Sequence, residues 1–262
     1  MRFSALCVVG ALSCASLVGA LSAAPAKNAN ANAHSGAAWS YKGTNAPAKW
    51  GDLSPEYSAC KKGVYQSPID IKMENVFQAN TASPIKFSYK GDVQNVVNNG
   101  HTIQVDFKAG SSITLDKTQY DLVQLHFHTP AEHKVAGKSF QMEAHLVHKA
   151  KNGQLLVIAI LFNAGLEHPA IAEIQKVMPQ KEGEKANLAK LDMSTLTKGL
   201  DSYIRLNGSL TTPPCTEGVI WIVNTMPLEA SKAQVAAFTK VFGQNNRPLQ
   251  SPNNRVIIET GD

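Results

Sequence analysis

Cysteine is scarce in this chain and badly spaced for a thiolate metal site. Only Cys7, Cys14, Cys60 and Cys215 occur, and no pair has the short gap that such sites use. Charge is thin as well, at 17% of residues, and the lysines are dispersed rather than clustered. That excludes the basic surface of a nucleic-acid-binding protein. No internal repeat and no interior linker interrupts the chain. With 262 residues, 44% of them hydrophobic, it can bury one sizeable core, so a single domain is expected.

The one long apolar run lies at the start, in "MRFSALCVVGALSCASLVGALSAAPA". Arg2, an apolar stretch to about Leu21 and small residues after it read as a secretory signal over residues 1–24. The run is near spanning length, but it is rich in Ala, Gly and Ser and lacks a basic stop-transfer flank. Cleavage is therefore expected over anchoring, with no stable membrane insertion afterwards. Cys14 lacks the aliphatic residue three places earlier that a lipoprotein site would have. Cleavage removes Arg2 and lowers the formal charge from +5 to +4. Residues 25–38, polar and of low complexity, form a flexible lead-in, and 39–262 form the folded domain. Cys60 and Cys215 remain after cleavage. In an exported chain they most simply form one disulfide, although free thiols or metal ligation stay open.

The middle of the chain reads as strands: "VQNVV" and "TIQVDF" around Asn98-Asn99-Gly100, then "SSITL", "YDLVQLHFH", "FQMEAHLVHK" and "LLVIAILF". Two helices are expected, one over "PAIAEIQKVM". The other opens at Ser231, where Ser231 and Gln234 fit a capping box, and runs to about Phe242. The fold class is mainly β with peripheral helices, built on a large, mostly antiparallel twisted sheet.

Histidine is dense in "QLHFHTPAEH" and "QMEAHLVH". Alternate residues of a strand share a face. Gln124, His126 and His128 therefore point one way, and Val123, Leu125 and Phe127 the other. In the second stretch, Glu143, His145 and Val147 share a face. If the strands pair, three imidazoles meet. A solvated face would carry lysine and threonine instead, so a metal site is the better reading. Three neutral imidazoles suit zinc and leave a fourth position open, although copper and nickel also accept imidazole. Gln124 and Glu143, each two residues before a histidine, are placed to fix ring orientation by hydrogen bonding.

These residues resemble the α-class carbonic anhydrases, specifically their exported bacterial members, from about Trp39 to Arg255. The motifs are "QSPIDI" (66–71), "NNGHTIQVDF" (98–107), the two histidine stretches and "NGSLTTPPCTEGVIWIV" (207–223). Thr129-Pro130, where other members often have Trp-Gly, is like bacterial relatives. The resemblance implies zinc-dependent reversible hydration of carbon dioxide to bicarbonate. It makes His126, His128 and His145 the zinc ligands, with Gln124 and Glu143 behind His126 and His145. Thr211 accepts a hydrogen bond from the attacking oxygen and donates one to Glu132, with Thr212 beside it. Val147, Val157, Leu210 and Trp221 form an apolar wall for the substrate. His101 takes the proton-shuttle position, and Tyr41, Asn99 and Gln104 order water between it and the metal. Cys60 and Cys215 match the bacterial disulfide, and cis bonds are implied before Pro68 and Pro214.

His133 and His148 are expected to make structural hydrogen bonds, while His34 and His168 are expected to be exposed and idle. The competing reading is a catalytically silent, carbonic-anhydrase-like zinc-binding protein. The complete histidine set, with Thr211, Glu132 and His101, argues against it. A monomer or homodimer in a periplasmic or secreted location completes the expectation.

Overall fold

The computed structural model describes residues 37–79 and 84–260, within a compact unit running from Gly36 to Asp262. The expected signal, nearly all of the lead-in and His34 lie outside the described residues. Two short helices, α1 (Trp50–Leu53) and α2 (Ala59–Lys62), come first. Strands β1 (Asp70–Ile71), β2 (Val76–Ala79), β3 (Lys86–Ser88), β4 (Val93–Asn98), β5 (Ile103–Phe107) and β6 (Ser112–Leu115) follow. The histidine-bearing β7 (Thr118–His128) and β9 (Met142–Ala150) flank the short β8 (Lys134–Val135), and β10 (Leu155–Ala164) comes next. Helix α3 (Pro169–Val177), β11 (Lys185–Ala186), β12 (Tyr203–Ser209), β13 (Glu217–Asn224) and β14 (Leu228–Ala230) lead to α4 (Lys232–Phe242) and β15 (Ile257–Thr260).

The main sheet path runs β11-β4-β5-β7-β9-β10-β13-β12-β15-β2, with β14, β3 and β6 attached beside it. Its pairs are antiparallel except β10–β13, β10–β14 and β15–β2, so the mostly antiparallel expectation holds. Residues Leu156–Phe162 of β10 are buried at every position, which suits an unbroken apolar run covered on both faces. The sheet separates two cores. Leu125, Phe127, Leu146, Ile158 and Ile160 pack on one side with Ile171 and Ile174 of α3 and Phe238 of α4. Val157, Ala159, Leu161, Leu206 and Trp221 pack on the other.

Both expected helices form. Ser231 caps α4, accepting from the Gln234 amide at 3.1 Å while the Gln234 side chain accepts from Ser231 N. The Gln234 side-chain carboxamide also bonds both backbone groups of His168 at 2.9 Å, joining the start of α3 to the start of α4. His168 is consequently only 6% exposed, and its ring contacts the Thr195 carbonyl at 3.3 Å. This corrects the exposed, idle assignment: His-Pro reads as loop in sequence, but here it is the buried junction of two helix starts.

Cys60 and Cys215 are joined by a disulfide across 155 residues of sequence. The bonds before Pro68 and Pro214 are cis as the resemblance implies, and so is that before Pro130.

Candidate metal centre

Register delivers the histidines. His126 of β7 lies directly opposite His145 of β9, and His128 opposite Glu143. Leu125 and Phe127, between the ligand positions, are fully buried in the opposite core. The faces therefore divide as strand alternation requires. One nitrogen from each of the three rings lies within 4.8 Å of the others.

Each ring is anchored through its remaining nitrogen. His126 Nδ1 meets Gln124 Oε1 at 2.7 Å, His128 Nδ1 meets the Asn245 carbonyl at 2.8 Å, and His145 Nε2 meets Glu143 Oε1 at 2.7 Å. Because each outer partner is an oxygen acceptor, each outer nitrogen carries the proton. The lone pairs are left on His126 Nε2, His128 Nε2 and His145 Nδ1. His128 Nε2 is buried with no hydrogen-bond partner among the described residues, which is costly for a polar atom unless something binds it. Burial is the largest cause holding all three rings below the ordinary imidazole value, with His128 at about 4. Neutral rings at neutral pH are what a cation requires. The donor set fits a zinc ion, and the partly exposed His126 marks the open side.

Glu143 is the hub behind the triad. Its Oε1 accepts from His145 and from His133 Nδ1, both at 2.7 Å, and its Oε2 accepts the amides of Glu132 and His133 at 2.8 Å. His133, Glu143 and His145 also sit close enough to resemble a metal cluster, but these contacts are hydrogen bonds that already fill the carboxylate. Burial alone would raise the Glu143 carboxyl, and the neighbouring imidazoles bring it well below the usual range. His148, off the ligand face, bonds the Tyr89 hydroxyl at 2.6 Å. The structural assignment of His133 and His148 thus matches their contacts.

Beside the triad, register also aligns an apolar row. Val147 of β9 faces Val157 of β10, which faces Trp221 of β13. Leu210 packs against the same cluster. Trp221 is fixed by its indole N–H donating to the Ser209 carbonyl at 3.1 Å, and its ring lies 4.9 Å from that of His145. Thr211 and Thr212 sit in the tight loop after β12, where Leu210 N bonds Thr216 O and Cys215 N bonds Thr212 O. Glu132 is 2% exposed, and burial pushes its carboxyl up to about 7 against the opposing pull of His145 and the Arg247 amide. Its Oε2 is buried with no hydrogen-bond partner among the described residues. Its Oε1 accepts the Arg247 amide at 2.8 Å.

His101 lies in the turn between β4 and β5. Gly100 there has φ +83°, a left-handed conformation glycine adopts without strain. Asn99 Oδ1 accepts the amides of His101 and Thr102, and Asn99 Nδ2 donates to Gln104 Oε1 at 3.3 Å. Gln104, opposite His126 in register, donates onward to Asp106. The imidazole of His101 stacks on Trp39 with ring centres 3.8 Å apart, and Tyr41 meets it edge-on. Tyr41 is half-buried, and desolvation of its hydroxyl raises the phenol well above the ordinary value.

Sequence reasoning missed three contributors. Asn245, fully buried, orients His128 through its carbonyl, while its side chain holds the Thr129 amide and the carbonyls of Phe127 and His101. Arg247 holds Glu132 through its amide. Trp39 carries the His101 ring. Asn245 and Arg247 lie beyond α4 in coil, where a single sequence offers no periodic signal.

Residues 45–261 match the family model described as eukaryotic-type carbonic anhydrase. A carbonic anhydrase of Neisseria gonorrhoeae is 43% identical over 223 residues, covering 84% of this chain and 87% of that protein. One from Nostoc sp. is 38% identical, covering 84% and 85%. The solved α-carbonic anhydrase of Thermovibrio ammonificans, in complex with the inhibitor sulfanilamide, superposes with a TM-score of 0.82 at 45% identity, covering 85% of this chain and 99% of that one. With the histidine triad, its anchoring oxygens and the sheet that aligns them, the chain belongs to the α-class, or eukaryotic-type, carbonic anhydrase family and is a carbonic anhydrase enzyme.

Proposed function

We propose that this protein uses zinc to hydrate carbon dioxide reversibly to bicarbonate and a proton. The observation that carries this reading is the convergence of three lone-pair nitrogens beside the apolar Val147–Val157–Trp221 row. Bound by His126, His128 and His145, all neutral, zinc would supply a water that ionises near neutral pH, for which carbonic anhydrase is itself the standard example.

The remaining chemistry belongs to the chain. In its ionised form, which predominates above about pH 7, Glu132 can only accept, so a bond between the two would run from the Thr211 hydroxyl to the carboxylate. The Thr211 oxygen then offers only lone pairs to the cavity, which selects an attacking oxygen that still bears a proton. Thr212 stands beside it. Val147, Val157, Leu210 and Trp221 suit an uncharged substrate, because burying them against carbon dioxide strands no polar group. Tyr41, Asn99 and Gln104 order water toward His101, whose imidazole passes the released proton to bulk.

The Cys60–Cys215 disulfide favours an oxidising compartment, so the mature protein is assigned to the periplasm or the exterior, as a monomer or homodimer. Among the described residues no helix is long and apolar enough to cross a membrane. Stopped-flow hydration of carbon dioxide before and after zinc chelation tests the reading. Fast hydration lost on chelation and restored by zinc supports it. A folded, zinc-loaded protein without hydration overturns it in favour of a silent binding protein.

A further inference from the structure

Arg247 is a buried cation with an unusual arrangement. Its residue is 2% exposed, and among the described residues no carboxylate comes within ion-pair distance of its guanidinium. Instead it donates to neutral oxygens: Gln66 Oε1 at 2.9 Å, the Ser67 carbonyl at 2.8 Å and the Cys60 carbonyl at 3.0 Å. Its face lies over Trp50, 5.8 Å from the ring centre. Burying an arginine against neutral acceptors is expensive, and the same volume filled with apolar side chains would stabilise the fold at least as well. Burial accordingly lowers its pKa to about 10. A stability role alone does not account for it.

The contacts indicate what the cost secures. The Arg247 amide holds Glu132 Oε1 at 2.8 Å. Its side chain holds the carbonyl of Cys60, and Gln66, which it orients, donates to the carbonyl of Cys215 at 3.0 Å. Cys215 closes the loop that carries Thr211. Both half-cystines are thus gripped through their main-chain oxygens by the same polar pair, through contacts that do not involve the sulfurs. Ser67, next in sequence, exchanges bonds with Ser209 on the strand leading into that loop.

We propose that Arg247 and Gln66 are positioning residues for hydration: a clamp that sets Glu132 against the Thr211 loop and keeps that setting when the Cys60–Cys215 bond is open. The inference rests on the hydration reading above, in which Thr211 and Glu132 orient the attacking oxygen.

The split between kcat/KM and kcat tests it. kcat/KM reports the attack on carbon dioxide that the clamp serves, whereas kcat in saturating buffer reports proton release through His101. With zinc content and the disulfide verified, Arg247→Met is expected to lower kcat/KM by about tenfold or more, with a smaller fall in kcat. Arg247→Lys, which retains charge but not the fork of donors, should recover part of the loss. Gln66→Leu should lower kcat/KM several-fold, and it decides the matter if Arg247→Met does not fold. Reducing the disulfide in the parent protein should change kcat/KM less than twofold, while reduction of Gln66→Leu should lower it further. Folded, zinc-loaded variants within twofold of the parent would overturn the clamp. So would a large fall in kcat/KM on reduction of the parent alone, because the sulfurs would then be setting the loop. A parent protein without hydration activity would instead bring down the underlying reading.

Discussion

Replacing Glu143 by Gln keeps size and shape but removes charge, and its effect can be worked through atom by atom. The carboxylate accepts four hydrogen bonds, two from imidazoles at 2.7 Å and two from backbone amides at 2.8 Å. A glutamine keeps one accepting oxygen and gains an NH2 group. The backbone amides of Glu132 and His133 cannot change, so they will claim the oxygen and turn the NH2 toward the two rings. The His145 ring must then present a lone pair at Nε2, which moves its proton to Nδ1, the nitrogen facing the other two imidazoles. Binding metal requires reversing that tautomer and setting N–H against N–H in a buried site. At about 1–3 kcal/mol for a buried unsatisfied donor, zinc affinity should fall roughly 10- to 100-fold. Equilibrium competition with a chromogenic chelator measures this, with near-UV circular dichroism confirming that the metal-free variant remains folded. Gln124→Ala serves as the contrast: His126 is partly exposed, so water can replace the lost amide and the loss should be smaller. A folded Glu143→Gln protein that binds zinc as tightly as its parent would refute the tautomer argument.

His101→Ala should slow kcat at low buffer by at least about tenfold, within the range for general acid–base groups, and leave kcat/KM intact. Added imidazole should restore turnover, and failure to do so would remove His101 from the proton path. Burial holds His148 at about 4 against an ordinary 6.5, so its folded state resists protonation. Its stabilising contribution is complete above about pH 6.5 and is lost as pH falls toward about 4, by about 3 kcal/mol in all. Urea melts of the zinc-loaded protein across that window should show the slope, and His148→Gln should flatten it; equal slopes would contradict the assignment. Opening the disulfide should cost about 2–5 kcal/mol, the chain-entropy model giving the upper end for so long a loop. Identical denaturation midpoints with and without reductant would show that the crosslink adds no stability.

What was legible in the sequence follows one physical rule. Strand side chains alternate, so the shared face of Gln124, His126, His128, Glu143 and His145 could be read from parity. The register then placed His126 opposite His145. The capping box at Ser231 was legible because its partners are three residues apart. What escaped notice depends on contacts far apart in the chain. The third ligand is oriented by a backbone carbonyl at Asn245, 117 residues from His128, and any residue type carries a carbonyl. Arg247 acts on Glu132 through an amide, which is equally anonymous. His168 failed for a related reason: its burial comes from Gln234, 66 residues away. The remaining site residues, by contrast, were assigned from the resemblance, because family motifs gather residues that lie far apart in the chain.

Of the three oxygens that orient the ligand rings, those of Gln124 and Glu143 come from within two residues of their histidines, whereas the Asn245 carbonyl arrives near the end of the chain. During synthesis all three histidines are present long before that oxygen exists. A nascent chain can pair β7 with β9 and still leave the His128 ring free to turn. Anchoring of the full triad therefore requires the chain through Asn245, and a chain ending before it would have only two of its three imidazoles oriented.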